Sequence, residues 1–209
     1  MGTHAGSQLV VEASVADFFQ GLVNEAVENQ HLEASAESVC YLINLLSTFA
    51  SSEALFEASP DGPTIQPLAL LYGEAMEAPS IEKRNHALKR LGDVALFISG
   101  IFSDSLNRKV VDVDYYITMG GLAYGCLSST SRQLARWHAF SEVFGELGTK
   151  FARFVDVLNE VGDQTGLRND HDIMRLYEIW QRTGSRRARG QLQRLGIIPV
   201  TGSAVGLKH

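Results

Sequence analysis

The strongest constraint on the fold is a run of apolar residues in the second half of the chain that recur every three or four positions. These residues follow one another at intervals of 3, 4, 3, 4, 3, 4 and 3: Trp137, Phe140, Phe144, Leu147, Phe151, Phe154, Leu158 and Val161. This is the period of one helix face, so the run predicts helix from about residue 131 to residue 162. Because the seam consists of phenylalanine and tryptophan instead of the branched aliphatic residues of dimeric zippers, it favours a core helix, or two helices broken near Gly148, over a coiled-coil dimer.

Similar periodicity predicts helices along the rest of the chain. We expect them at about residues 14–30, 35–49, 66–76, 80–102, 114–127, 170–182 and 186–195. Ser14 and Asp17 are expected to cap the first of these helices, and Trp180 is expected to face inward. Residues 109–113 are the one stretch that could instead form a strand, because no other stretch shows the alternation of a half-buried strand. The predicted fold class is therefore all-α: a single helical bundle-like domain of about eight helices.

The helix over residues 80–102 is expected to change character along its length. Its first half presents a polar face made of Lys83, Arg84, Lys89, Arg90 and Asp93. Residues 94–102 are apolar on nearly every side, which predicts that this end enters the middle of the core.

The domain organisation predicted from the sequence is simple. A chain of 209 residues is long enough to bury a full core. We predict one domain over residues 1–198, with a possible internal boundary near residues 58–67 and a mobile C-terminal tail over residues 199–209. The boundary rests on the turn-forming sequence Ala58-Ser59-Pro60-Asp61-Gly62-Pro63.

Cysteine content and hydropathy indicate the compartment. Cys40 and Cys126 are too few for a disulfide framework, which favours free thiols in a reducing compartment. Cys40 is expected to pack among small and apolar neighbours. No segment approaches the roughly 18 apolar residues of a membrane span, and residues 1–8 lack the pattern of a secretory signal. The sequence thus predicts a cytoplasmic protein without a membrane span.

Motifs of common catalytic and nucleotide-binding sites do not occur in the sequence. It contains no G-x-S-x-G elbow, no Walker A loop and no G-x-G-x-x-G. Two helical spacings could bring metal ligands together, Glu82 with His86, and His138 with Glu142 and Glu146. Both sets lie on polar helix faces, so we expect them to face water. The sequence therefore predicts no metal site and no cofactor.

The best candidate for a ligand site is the start of the glycine-containing helix. Acidic, phenolic and small residues lie together there: Asp112, Asp114, Tyr115, Tyr116, Met119 and Gly120. Titratable groups beside an apolar wall could orient a small ligand or take part in acid–base chemistry. The alternative, which we favour, is that one acid caps the helix, the tyrosine rings are buried, and the glycines allow another helix to approach.

Charge is distributed very unevenly along the chain. The net charge is −6, but residues 1–82 contain twelve acids and no Lys or Arg, residues 83–172 are balanced, and residues 173–209 carry +6. The candidate partner-binding residues in the basic segment are Arg182, Arg186, Arg187, Arg189 and Arg194. Two interpretations, docking of this segment on the acidic half (within one chain or between subunits) and plain solvation, are favoured over nucleic-acid binding, because the chain is acidic overall and the segment has few aromatic residues to stack on bases. Binding to anionic lipid is a further alternative.

These features favour a non-catalytic helical module for interaction or assembly. It would use its acidic N-terminal half and basic C-terminal segment to form a homo-oligomer or to bind a protein partner. One alternative is a helical bundle that binds a small apolar or aromatic ligand near residues 112–125, with or without catalysis. Nucleic-acid binding through the C-terminal arginines is a third hypothesis.

Overall fold

The computed structural model describes residues 4–50, 65–103 and 112–165, together with residues 180, 186, 189 and 190, and it describes side chains from residue 15 onward except that of Ala50. Its three continuous ranges contain eight α-helices and no strand. The helices are α1 (His4–Asn29), α2 (Ala36–Ala50), α3 (Leu68–Glu77), α4 (Ile81–Ile101), α5 (Val113–Ser131), α6 (Ala135–His138), α7 (Ser141–Thr149) and α8 (Phe151–Gln164). The predicted all-α class and bundle-like architecture are confirmed.

Helix α4 forms the centre of the described bundle. Ser80 caps it, because the Ser80 hydroxyl accepts a hydrogen bond from the Lys83 N–H at 3.3 Å. Every residue from Leu91 to Phe102 is buried, which confirms the prediction for residues 94–102 and extends the burial to Asp93. Helices α2, α3, α5 and α8 pack around it.

The close approach of α5 and α7 depends on glycine. A Cβ atom at Gly148 would lie 2.9 Å from the backbone nitrogen of Gly125 and 3.1 Å from the carbonyl oxygen of Gly121. The two helix backbones are therefore almost in contact, and a side chain at Gly148 would separate them. This contact agrees with the expectation that the glycines of the α5 region allow another helix to approach.

The regular apolar run from Trp137 to Val161 forms three helices. The chain leaves helical geometry at Lys150, with φ −106° and ψ 21°, and α8 begins at the next residue. Of the two alternatives, the one with a break near Gly148 is therefore observed, and a second break, between His138 and Ser141, was not predicted. Seven of the eight seam residues are buried, whereas Phe140 is exposed because it lies at the corner between α6 and α7.

The first two helices differ from the sequence prediction in two details. Helix α1 begins at His4, so the predicted cap at Ser14 and Asp17 is wrong. Cys40 is exposed and not packed in the core. It lies two positions before the buried Leu42, on the opposite side of α2, and that position points away from the core.

The end of α1 is held against α8. The side-chain amides of Asn29 and Gln30 donate hydrogen bonds to the Glu160 carboxylate at 2.6 and 2.7 Å. Arg153 donates to the backbone carbonyl of Gln30 at 2.6 Å. His31 then adopts a left-handed conformation, with φ 49°, and ends the helix. These contacts place the loop before α2 beside the junction of α7 and α8.

Several predictions concern residues outside the described ranges. They include residues 58–64 of the predicted boundary, most of the helices predicted at 170–182 and 186–195, and the tail at 199–209. Trp180, which is described, is buried as predicted. Of the helices that are described, none combines the length and the apolar character needed to cross a membrane.

Candidate functional site

The two acids of the predicted ligand region lie at the start of α5. The Asp112 carboxylate accepts a hydrogen bond from the Tyr115 N–H at 3.1 Å, which makes Asp112 the N-cap residue. Asp114 is exposed in the first turn, where a negative charge interacts favourably with the helix dipole. The capping alternative therefore accounts for the position of Asp112.

The remaining residues of this region contact the core. Tyr115 and Tyr116 are half-buried, and their rings meet edge to face with centroids 5.8 Å apart. Burial is the larger cause that raises the pKa of Tyr116, and the neighbouring Tyr115 is the smaller one. Met119 packs against the core, and Gly120 is buried. A Cβ atom at Gly120 would overlap the Phe151 ring, so this glycine makes room for α8. Ligand binding at Asp112, Asp114, Tyr115, Tyr116, Met119 and Gly120 stays a prediction.

The predicted partner-binding arginines are described only in part. Arg186 and Arg189 have helical backbone and are exposed. Arg182, Arg187 and Arg194 lie outside the described residues. Partner binding by this segment likewise stays a prediction.

The two spacings considered as metal sites have other contacts. Glu82 forms an ion pair with Arg136 at 3.3 Å, and the His86 ring lies 5.0 Å from that of Trp137. His138 and Glu142 are exposed, as expected. In the parts of the chain that the structure describes, no three His, Cys, Asp or Glu side chains are grouped closely enough to hold a metal ion.

The prediction that Glu146 faces water is wrong, because this residue connects α7 to the start of α2. Its carboxylate accepts hydrogen bonds from the Ser35 hydroxyl and the Ser38 hydroxyl, both at 2.6 Å, and from the Ser35 N–H at 3.1 Å. Lys150 donates to the same carboxylate at 2.9 Å and also to the Glu33 carbonyl oxygen. The Glu146 side chain is only 17% exposed. A carboxylate from a distant helix thus binds at the N-terminal end of α2, where its charge is favoured.

This environment changes the acidity of Glu146. Partial burial acts to raise the pKa, but the hydrogen bonds from Ser35, Ser38 and Lys150 outweigh it and lower the pKa from 4.5 to about 2. The charged form is therefore stabilised by folding. The stabilisation is complete above the unfolded pKa of 4.5 and is lost as the pH falls from there toward 2.

Glu146→Gln is expected to lower the free energy of unfolding at pH 7 by about 2 kcal/mol, because the uncharged amide accepts these hydrogen bonds more weakly. It should also flatten the loss of stability between pH 5 and pH 3. Urea denaturation over this pH range measures both effects. Glu142→Gln, on the exposed face of the same helix, is the control and should change stability by less than about 0.5 kcal/mol. Parallel pH curves for wild type and Glu146→Gln would contradict this role of Glu146.

A second buried acid, Asp93, connects three helices. The sequence assigns it to the polar face of its helix, and this assignment is wrong, because the Asp93 side chain is only 8% exposed. Its carboxylate accepts hydrogen bonds from the Tyr41 hydroxyl of α2 at 2.5 Å and from the Tyr124 hydroxyl of α5 at 2.7 Å. Lys89 forms an ion pair with it at 2.5 Å and lies over the Tyr41 ring. We call these four residues the Asp93 cluster.

The Asp93 cluster keeps its tyrosines protonated. Burial raises the pKa of Tyr41 and Tyr124 well above 10, and the adjacent Asp93 charge raises it further. Both hydroxyls therefore act as donors at neutral pH, and with Lys89 they supply three donors to one carboxylate. This arrangement holds α2, α4 and α5 together. The i, i+4 spacing of Lys89 and Asp93 is visible in the sequence, but the pattern does not reveal their distant tyrosine partners.

The first three helices present a set of exposed acids. Asp17, Glu25 and Glu28 lie on the face of α1 opposite its buried residues, and the other acids follow on the connecting loop, α2 and α3. The whole set, which we call the acidic surface, is Asp17, Glu25, Glu28, Glu33, Glu37, Glu74 and Glu77. None of these seven side chains forms an ion pair within the described residues, where the ion pairs involve Asp93, Glu82 and Glu146. Residues 1–82 contain no Lys or Arg that could neutralise them.

Comparison of this chain with protein-family models, with curated proteins and with solved structures finds no match in any of the three.

Proposed function

We propose that this chain is a non-catalytic assembly module in which the acidic surface of one copy binds the basic C-terminal segment of another. The observation that carries the proposal is the set of seven exposed carboxylates that have no ion-pair partner in the described part of the chain. Arg186 and Arg189 are exposed and supply charge of the opposite sign.

The charge distribution supports association between copies. Residues 1–82 carry −12 and residues 173–209 carry +6, so the acidic half of one copy and the basic segment of another attract each other electrostatically. One exposed ion pair contributes only about 0.2–1 kcal/mol, which means that several must act together. Because the two surfaces are different, two copies can exchange basic segments reciprocally, and this exchange closes a dimer with two equal contacts.

A matched pair of charge reversals tests the proposal. We expect the wild-type protein to associate at about 50 mM salt and to dissociate near 500 mM, because added salt screens exposed charges. Arg186→Glu/Arg189→Glu should weaken association at least about tenfold. Lys83→Glu/Arg132→Glu changes the net charge by the same amount at other exposed positions and should weaken it by less than about threefold. Native mass spectrometry reports the number of subunits, and sedimentation equilibrium gives the association constant.

Two results would reject the proposal. One is a wild-type monomer at low salt. The other is equal weakening by the two double variants, because that result would attribute the effect to net charge alone and not to the basic segment.

A further inference from the structure

Helix α3 has two apolar faces, and only one of them is covered. Leu68, Leu71 and Ala75 are buried on the side where α3 packs against α4. A second set of apolar residues follows at intervals of three, one and three on an adjacent side of the helix: Ala69, Tyr72, Gly73 and Met76. We call this set the α3 outer strip.

The α3 outer strip has the dimensions of a helix-binding surface. Tyr72 is 47% exposed and Met76 is 45% exposed. Apart from its chain neighbours and the backbone of α3 itself, no atom lies within 4 Å of the position that a Cβ of Gly73 would occupy, so the strip is open at this position. Apolar residues at i, i+3, i+4 and i+7 are the spacing through which one amphipathic helix packs on another.

The charges near the α3 outer strip select the partner. Glu74 and Glu77 are exposed on the same helix, and Glu74 accepts a hydrogen bond from Gln66 at 2.5 Å. No Lys or Arg occurs anywhere in residues 1–82. A segment that complements this surface therefore needs an apolar stripe with basic residues beside it.

The C-terminal segment of the same chain has this pattern. Its apolar residues Ala188, Leu192 and Leu195 follow at intervals of four and three. Its arginines are Arg186, Arg187, Arg189 and Arg194. In a helix, Arg187 and Arg194 lie to one side of the apolar stripe and Arg189 lies to the other.

We infer that the α3 outer strip of one copy binds residues 186–195 of a second copy as an amphipathic basic helix. This inference rests on the assembly proposed above. The second copy is taken as the source because the proposed assembly joins two copies through this basic segment, and Tyr72 and Met76 are about half exposed. Apolar contacts along the strip hold the helix, and the arginines on one side of it reach Glu77, which borders the strip on α3.

Removing the large apolar side chains of the strip without changing any charge tests this inference. Tyr72→Gln/Met76→Gln should weaken self-association at least about tenfold at low salt, because large side chains at the centre of an interface carry much of its affinity. The stability of the monomer should change little, since both side chains are about half exposed in it. Leu122→Gln/Phe140→Gln replaces two exposed apolar residues on α5 and at the α6–α7 corner, and should weaken association by less than about twofold. Sedimentation equilibrium measures association, and urea denaturation monitors folding.

Cross-linking identifies the segment that binds. Tyr72→p-benzoylphenylalanine places a photoreactive group on the strip, and mixing chains labelled with nitrogen-14 and nitrogen-15 separates contacts between copies from contacts within one copy. No acidic residue follows Glu178, so cleavage at acidic residues leaves the basic segment in one peptide, residues 179–209. We expect cross-links between position 72 and residues 186–195 that carry both isotopes.

The outcomes separate this inference from the assembly on which it rests. Cross-links within one copy only, cross-links to another segment, or unchanged association of Tyr72→Gln/Met76→Gln would overturn the role of the strip. If Arg186→Glu/Arg189→Glu dissociates the protein and Tyr72→Gln/Met76→Gln does not, assembly through charge stands and the strip is not its receptor. A wild-type protein that is monomeric at low salt would overturn both.

Discussion

Replacing Asp93 by alanine is expected to lower the free energy of unfolding by about 3–5 kcal/mol, because the hydroxyls of Tyr41 and Tyr124 lose their shared acceptor. Tyr124 is completely buried, so its hydroxyl has no access to water as a substitute. Lys89 is partly exposed and can be solvated instead. Urea denaturation followed by circular dichroism measures the change.

A change of background isolates the contribution of the two hydroxyls. In the variant Tyr41→Phe/Tyr124→Phe, Asp93→Ala leaves no hydroxyl without a partner, so its additional cost should fall below about 2 kcal/mol. Asp156→Ala, at an exposed position of α8, is the control for removing a carboxylate from a helix and should change stability by less than about 0.5 kcal/mol. Equal costs of Asp93→Ala in the two backgrounds would contradict the role assigned to the Asp93 cluster.

Gly148→Ala is expected to lower the free energy of unfolding by about 2–3 kcal/mol. Its methyl group would lie 2.9 Å from the backbone nitrogen of Gly125, and a backbone cannot move aside as a flexible side chain can. The helices α5 and α7 must therefore separate, which disturbs the buried contacts between them. Thermal and urea unfolding measure the loss.

The partner glycine at the same crossing supplies the control. Apart from its chain neighbours and the backbone of α5 itself, no atom lies within 4 Å of the position that a Cβ of Gly125 would occupy. Gly125→Ala should therefore stabilise the protein by up to about 1 kcal/mol, through the higher helix propensity of alanine. If both alanine variants change stability in the same direction, the close approach of the two backbones at Gly148 is not the cause.

Much of the helical framework could be predicted because helices depend on local signals. Ser80 and Asp112 each precede a stretch with helical periodicity, and each caps a helix in the structure. The burial of residues 94–102 follows from a pattern that is apolar on nearly every side. The start of α1 could not be predicted in this way, because the residues before Ser14 carry no comparable periodic signal.

The buried acids could not be predicted for the opposite reason. A periodic pattern assigns Asp93 and Glu146 to polar faces, since it registers only the polarity of each residue and its position on its own helix. Their burial depends on donors that are distant in the chain, such as Tyr41 for Asp93 and Ser35 for Glu146. A buried carboxylate is stable only with such partners, and they become visible only when the helices are packed.

The sequence by itself determined the helical class and the separation of negative from positive charge, because each of these depends on residue types and short-range spacing. It indicated the break before α8 only as one of two alternatives. Only the tertiary structure decided which polar groups are buried and which apolar groups stay open. Asp93 lies inside the bundle, whereas Tyr72 and Met76 on α3 remain exposed. Burial depends on which helix faces meet, and that choice is made by packing between segments far apart in the chain.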